Sequence, residues 1–318
     1  MIQYRTFRNP DPPRLAEVWT ASLAGPRTVG VSPRSTTLLE HLLLAKPYFD
    51  PQGMFLALDG TRMVGFALAG FGPRADGSGV DVTTGVTCAV GVLPSHRRQG
   101  IGSELLRRCE AYLKGRGATN LFGGPQSPRN PFTFALYGGA DSPGVLDSYP
   151  TAAPFFTRHG YQIANSRGIL QRQLDRMTLP GDPRFSRIRQ EYDIVYTPPA
   201  RGTWWQEAVI GPIEPINFQL QNKQTARVVA RTTLWEMDLY RFLWNDLCVG
   251  MLDLEVSPEH RRQGLARYLV SQLLMHLNRQ SLSLFEVQVD LTNEPARNLF
   301  LNLGFQQVDV GHAFHKPA

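Results

Sequence analysis

The sequence predicts an α/β protein of two tandem domains, each a mixed sheet flanked by helices. Three observations predict it. Val92-Leu93-Pro94-Ser95-His96-Arg97-Arg98-Gln99-Gly100 recurs 164 residues on as Val256-Ser257-Pro258-Glu259-His260-Arg261-Arg262-Gln263-Gly264, with seven of nine positions identical. A second echo follows each copy in the same order: Phe156-Thr157-Arg158-His159-Gly160-Tyr161, then Phe300-Leu301-Asn302-Leu303-Gly304-Phe305. Each copy also stands between a period of two and a period near 3.6, the signature of a strand feeding a helix.

The elements follow in order. A strand near Tyr4 to Phe7 precedes apolar helical patterns over Leu15 to Leu23 and Leu38 to Leu44. Met54 to Leu58 and Met63 to Ala69 read as a hairpin turned at Asp59-Gly60. Val86, Cys88, Val90 and Val92 alternate, so a strand enters the first arginine loop. Ile101, Leu105, Cys109 and Tyr112 share one face of the helix that leaves it. The second half repeats this with Leu252, Leu254 and Val256 before the loop, and Leu265, Leu269, Leu273 and Leu277 after it. Its lead-in is shorter: one helix over Trp204 to Val209, then strands around Phe218 to Gln221, Arg227 to Trp235 and Leu247 to Val256. The second domain is therefore expected to have a trimmed N-terminal part. The stretch Leu179 to Ser186 reads as a linker, giving domains 1–180 and 181–318. Between its loop and its Phe-xxx-Gly element the first half carries twenty residues more than the second. The surplus lies within 122–150, a Gly- and Pro-rich stretch holding Phe132, Phe134, Leu136, Tyr137 and Tyr149, expected to pack as a lid over the cleft.

Composition narrows the class. With 318 residues, 42% apolar and 19% charged, each half can bury a core. No apolar run is long enough to span a membrane, and the first residues lack the apolar core of a signal peptide. Three cysteines, Cys88, Cys109 and Cys248, make no disulfide framework and agree with a cytoplasmic location. No metal-ligand spacing stands out. The net charge of +6 comes from dispersed arginines. It suits anionic ligands but lacks the interleaved basic and aromatic stripe of a nucleic-acid binder.

The arginine loop carries the chemistry. Glycines at 100 and 102 allow a tight turn and close approach to the backbone. The helix behind them offers unpaired N–H groups and the positive end of its dipole, a cradle for a diphosphate. Arg97 and Arg98 stand ready for the outer charges. In the second copy Ala266 replaces the last glycine.

R-x-x-G-x-G/A between a V-x-P strand end and an amphipathic helix, followed by F-x-x-x-G-Y/F, resembles the acetyl-CoA loop and closing helix-turn of the GNAT superfamily. The resemblance covers nearly all of residues 1–172 and, more thinly, 193–310. It implies a parted strand whose backbone at Val90, Gly91 and Val92 holds pantetheine. It also implies a loop, Arg97, Arg98, Gln99, Gly100, Ile101, Gly102 and Ser103, that holds the diphosphate of acetyl-CoA or another short acyl-CoA. A second, weaker cofactor-like site falls on Leu254, Val256, Arg261, Arg262, Gln263, Gly264 and Ala266. The implied reaction is acetyl transfer to a primary amine of a small molecule or peptide.

The family's usual acid is a tyrosine where this chain has Phe156 and Phe300. That leaves two readings, a substitute acid or an acyl-CoA sensor without turnover. Tyr137 and Tyr149 are the candidate acids, beside the plain reading of half-buried packing residues. Asp81, and in the second half Asp246, Asp253 and Glu255, are candidate bases, beside the plain reading of solvated acids at strand ends. Cys88 fits a small buried hydrophobe, and His159 a helix-terminal cation.

Overall fold

A computed structural model describes residues 1–23, 36–133, 136–137, 139–175, 177–198, 202–210, 213–237 and 247–318. Phe134 and Asp246 lie outside the described residues. The chain forms two compact units that do not part at one point near residue 180: residues 1–166, 202–212 and 309–318 make the first, residues 167–201 and 213–308 the second.

In the first unit β1 (Ile2–Thr6) is followed by α1 (Pro12–Ser22) and α2 (Thr36–Leu39), the latter running into a π turn over Glu40–Leu44. The hairpin is β2 (Met54–Asp59) and β3 (Arg62–Pro73), with Gly60 at φ 58 in its turn. Next come β4 (Val80–Val92), α3 (Ile101–Gly115), β5 (Asn120–Gly123), the two-residue β6 (Val145–Leu146) and α4 (Ala152–Arg158). The strand after it, β7 (Gln162–Gln173), leaves this unit at Ser166. The sheet runs β1-β2-β3-β4-β5 and is completed beside β5 by the last strand of the chain, numbered β13 below. Apolar periodicity decides these elements. Ile101, Leu105, Cys109 and Leu113 of α3 are buried, as are Leu15, Val18 and Trp19 of α1.

The second unit contains α5 (Phe185–Glu191), β8 (Tyr192–Thr197), β9 (Ile216–Asn222), β10 (Val228–Glu236), β11 (Cys248–Val256), α7 (Leu265–Arg279), β12 (Leu284–Asp290) and α8 (Glu294–Asn302). Its strands run β8-β9-β10-β11-β12, the order of the first unit, and β7 from Arg167 onward closes it against β12. The sheet is thus not shortened at its front. The trimming affects only the helices, since no pair like α1 and α2 stands before β9 among the described residues. The helix expected to lead this half, α6 (Trp204–Ile210), belongs to the first unit. There Lys46 Nζ donates to the Ala208 carbonyl at 2.7 Å, and Trp205 packs on Tyr48 at 4.6 Å between centroids.

The two end strands are exchanged between the repeats. β13 (Gln306–Pro317) follows α8, yet Asn120 to Gly123 of β5 pair with its Phe314 to Pro317. The 122–150 insertion is pinned to the same strand. β6 pairs with Gly311 and His312, Gln126 Nε2 donates to the Gly311 carbonyl at 3.1 Å, and His312 bridges Ser166 Oγ at 2.8 Å and Asp147 Oδ1 at 2.9 Å. Among the described residues no helix is long and apolar enough to cross a membrane.

Candidate active site

The site begins with one extra residue in β4. Its ladder to β3 skips between Leu68↔Ala89 and Ala69↔Thr87, so Cys88 forms a bulge. On its other edge β4 pairs in parallel with β5 only from Thr84 to Thr87, and the last bond there is Gly124 N–H to the Thr87 carbonyl at 3.1 Å. β5 then ends, and the β4 edge runs on to Val92 with no strand beside it among the described residues. Apart from the Val92 carbonyl, which Arg97 takes, an extended polar chain laid along that edge can satisfy its backbone donors and acceptors.

β4 delivers the chain to the arginine loop. Arg98 and Gly100 take left-handed conformations, at φ 63 and 80. Gly100 caps α3 without a side-chain bond, so the first-turn N–H groups of Ile101, Gly102 and Ser103 lack intrahelical acceptors. A Cβ placed on Gly100 would meet none of the described residues within 4 Å. This uncapped turn under open space fits an anion. Arg98 and Gln99 are exposed beside it.

Three residues are held otherwise than the sequence suggested. Arg97 is not available for outer charges: its Nε donates to the Val92 carbonyl at 3.1 Å and its Nη2 to the Ser22 carbonyl at 2.8 Å, bracketing the end of α1 to the loop. Nor does Gly91 owe its smallness to a ligand. A Cβ there would fall 2.3 Å from Phe66 Cε1 and 2.6 Å from Ser22 Oγ, because the stacked Phe66–Trp19 pair and the end of α1 press on β4. Gly102 also differs from expectation. Its Cβ direction meets Phe155 of α4 at 3.4 Å, an ordinary contact, so an alanine at this position is not a steric threat to the cradle.

The bulge is faced by hydroxyls. Tyr137 lies beside the Cys88 thiol and accepts from the Phe132 N–H at 3.2 Å. Burial, with Cys88 alongside, holds its hydroxyl protonated well above the ordinary tyrosine range. Burial likewise pushes the Cys88 thiol up to about 12, which excludes it as a thiolate nucleophile at neutral pH. Tyr48, which sequence reasoning missed, has a buried hydroxyl with no hydrogen-bond partner among the described residues. Its ring stacks on Phe132 at 5.8 Å between centroids. Phe132 itself is buried over Gly70 of β3, where a Cβ would stand 3.2 Å from its ring. Part of the insertion therefore covers the bulge, with Phe132 and Tyr137 directed inward.

The other candidates fall elsewhere. Tyr149 donates to the Leu23 carbonyl at 3.1 Å and ties the insertion to the end of α1. Asp81 sits seven residues before the bulge, about 23 Å along an extended strand, and its carboxylate accepts from Thr83 N and Oγ1. It is not placed to act as the base. In the second unit Asp253 is held by Thr233 and Glu255 by Arg231. His159 Nδ1 lies 2.8 Å from the Phe155 carbonyl at the end of α4, the terminal role expected of it. Phe156 is buried against Phe314 and over Gly123.

The second unit repeats the backbone closely. β11 bulges at Leu252 and pairs with β12 only from Cys248 to Met251, so Leu254 and Val256 lie on an edge parted from β12. This strand therefore parts from its neighbour as β4 does. Arg262 and Gly264 take φ 64 and 89, and Arg261 Nε donates to the Val256 carbonyl at 3.0 Å. Gln263 Nε2 reaches the Glu259 carbonyl at 3.4 Å, as Gln99 reaches Ser95. The difference is an ion pair nearby. Arg184 donates through Nε and Nη2 to both carboxylate oxygens of Asp182, at 2.9 and 2.7 Å.

The Arg184 hydrogen bonds hold the Asp182 carboxyl down to about 2, from an ordinary 3.8. A carboxylate depressed in the folded state contributes stability above its unfolded value and loses it as pH falls through the folded one. Because Arg184 is half exposed, screening leaves about 1 kcal/mol. Urea titrations should therefore show Asp182→Asn weaker than the parent by that amount at pH 7. The gap should close as pH falls from about 4 toward 2. A gap unchanged by acid would mean that the pair is not the source.

A bulged central strand parting from its parallel neighbour, beside a glycine-led helix and twice in one chain, is the plan of a tandem acyltransferase fold. The model of the acetyltransferase (GNAT) family matches residues 22–138 and again 199–305, and the chain belongs to that family. It is 30% identical over 112 residues to the mycothiol acetyltransferase of a Nocardioides species, covering 33% of this chain and 37% of that protein. With the mycothiol acetyltransferase of Thermobispora bispora it shares 34% identity over 119 residues, 36% of this chain and 38% of that one. The matched segment thus spans less than two-fifths of these relatives. Among solved structures, a tandem GNAT protein from the clavulanic acid biosynthesis pathway superposes with a TM-score of 0.70 at 16% identity, over 100% of this chain and 98% of that one. A GCN5-related N-acetyltransferase from Sphaerobacter thermophilus does so with 0.63 at 13% identity, over 99% and 95%. At these identities the likeness is one of fold.

Proposed function

We propose that the chain is an N-acetyltransferase that moves an acetyl group from acetyl-CoA, or another short acyl-CoA, to a primary amine, with the first repeat as the working site. The observation that carries this reading is the parted, bulged β4 leading into an open cradle at Gly100, with a protonated Tyr137 at the bulge. Bound acetyl-CoA would supply the activated thioester. Backbone groups from Val90 to Val92 would align the pantetheine arm. N–H groups of Gln99 to Ser103 would hold the diphosphate, with Arg98 on its outer oxygens. At the bulge the amine nitrogen bonds to the thioester carbon and the carbon–sulfur bond breaks. Tyr137 donates its proton to the leaving sulfur, and the proton released by the amine goes to solvent and restores the hydroxyl. We place the working enzyme in the cytoplasm, consistent with three buried, free cysteines. Residues 1–180 and 181–318 are proposed as the duplicated segments, from the positions of the repeated motifs. The acceptor is a small-molecule or peptide amine.

The test is release of free thiol from acetyl-CoA over a panel of amines. Turnover with at least one amine, abolished by Gly100→Asp, is the expected result. A second reading is an acyl-CoA sensor, favoured by phenylalanine at 156 and 300 where the family commonly has tyrosine. Tight binding with no turnover on any amine would make it the better one.

A further inference from the structure

The two arginine loops share their backbone and differ in what stands above it. Over Gly100 no described residue comes within 4 Å of an added Cβ. Over Gly264 the space is filled: a Cβ there would lie 3.0 Å from Arg184 Cζ and 3.1 Å from Arg184 Nε. We infer that the Asp182–Arg184 ion pair is a built-in occupant of the second anion cradle, and that the second loop takes no diphosphate while this pair is in place. The inference rests on the reading of the first loop as a diphosphate site.

The pair brings both parts such an occupant needs. Its carboxylate is almost fully shielded, at 6% exposure, and stands 3.7 Å from Arg267 Nε on the third residue of α7. It thus sets a negative charge beside an uncapped helix start, where a phosphate's charge would be stabilised. Arg267 Nε is itself buried with no hydrogen-bond partner among the described residues, and this charge lies 3.7 Å from it. The guanidinium fills the volume over Gly264. Both residues are held firmly. The Arg184 N–H closes on Asp182 Oδ1 at 3.0 Å, Phe185 meets Tyr268 of α7 at 5.2 Å, and Ile188 of α5 is fully buried. The anchors belong to the second repeat alone, since Arg267 and Tyr268 stand where the first repeat has Ser103 and Glu104. Gln263 and Gly264 are correspondingly less exposed than Gln99 and Gly100. This pair, rather than Ala266, then accounts for an asymmetry between the loops.

Calorimetric titration with CoA tests the inference on the full chain. The parent should bind one CoA per chain, lost in Gly100→Asp and retained in Gly264→Asp; aspartate is chosen because it tolerates a left-handed backbone. The double variant Asp182→Ala/Arg184→Ala should bind two, the second with a Kd within about tenfold of the first, and adding Gly264→Asp should return it to one. Asp182→Asn, which keeps side-chain volume, should show the second site more weakly and guards against misfolding of the double variant. One site in the parent and in both pair variants would overturn the inference and leave the acyl-CoA reading standing. So would two sites in the parent with one lost on removing Arg184, since Arg184 would then be a phosphate ligand. A chain that binds no CoA in any form would overturn both readings, for the pair would guard nothing.

Discussion

Replacing Tyr137 by phenylalanine is expected to lower kcat about a hundredfold while leaving the KM for acetyl-CoA nearly unchanged. A positioned acid contributes roughly 10²–10⁴ in rate, and the loss of its proton leaves the thiolate to depart unassisted. A hundredfold loss is about 2.7 kcal/mol of barrier. The half-buried ring keeps its neighbours and the hydroxyl bonds only the Phe132 N–H and the Cys88 side chain among the described residues, so removing one oxygen leaves the packing in place. Tyr149→Phe is the control: its hydroxyl is spent on the Leu23 carbonyl, and kcat should fall less than threefold. Because burial keeps Tyr137 protonated well above pH 10, no limb of the parent's pH–rate profile at neutral pH should belong to it. Equal kcat in parent and Tyr137→Phe would remove the residue from the mechanism.

Gly91→Val is expected to destabilise the first unit by about 3 kcal/mol, the upper range for overpacking a filled core. Its Cβ would sit inside the van der Waals radius of the Phe66 ring, which is fully buried and stacked on Trp19 at 4.6 Å, so no flexible tip can yield. A loss of that size lowers the melting temperature by roughly 6–12 °C in a unit of this length. Acetyl-CoA binding should weaken as well, because the end of α1 that is displaced also carries the Ser22 carbonyl held by Arg97. The second repeat supplies the control. Its counterpart of Gly91 is Glu255, exposed and paired with Arg231. Glu255→Val should change the melting temperature by less than about 2 °C. If both valines were equally tolerated, the glycine would owe nothing to α1.

Much of this was legible because it is local. The alternation from Val86 to Val92, the glycines that turn the chain, and the Ile101-Leu105-Cys109 face each determine their element through neighbours in sequence. The repeat told where the same elements recur. β8 was missed because Tyr192 to Thr197 alternates only weakly in polarity and carries no turn signal of its own. The exchange of β7 and β13 could not be read, since which sheet a strand joins depends on partners far away in sequence. The insertion was legible as a cover, yet only its path over Gly70 sets Tyr137 at the bulge while Tyr149 goes to α1. Gly91 shows the opposite limit. Smallness in a strand signals close approach, but not what approaches, and here it is Phe66 rather than a ligand.

The position of β13 has a consequence for how the chain comes to be folded. His315 on β13 bonds Asn120 on β5 across 195 residues of sequence, so the strand that completes the first sheet is made only after the whole second repeat. Until then β5 is a bare parallel edge, and the insertion lacks the Gly311 and His312 backbone to which it is pinned. The first repeat must therefore wait, partly assembled, through translation of the whole second one. Folding of such non-local pairings is slow, and an unpaired edge held for that time is exposed to wrong partners. Deleting residues 309–318 should accordingly harm yield through aggregation of the first repeat, although those residues follow the second in sequence.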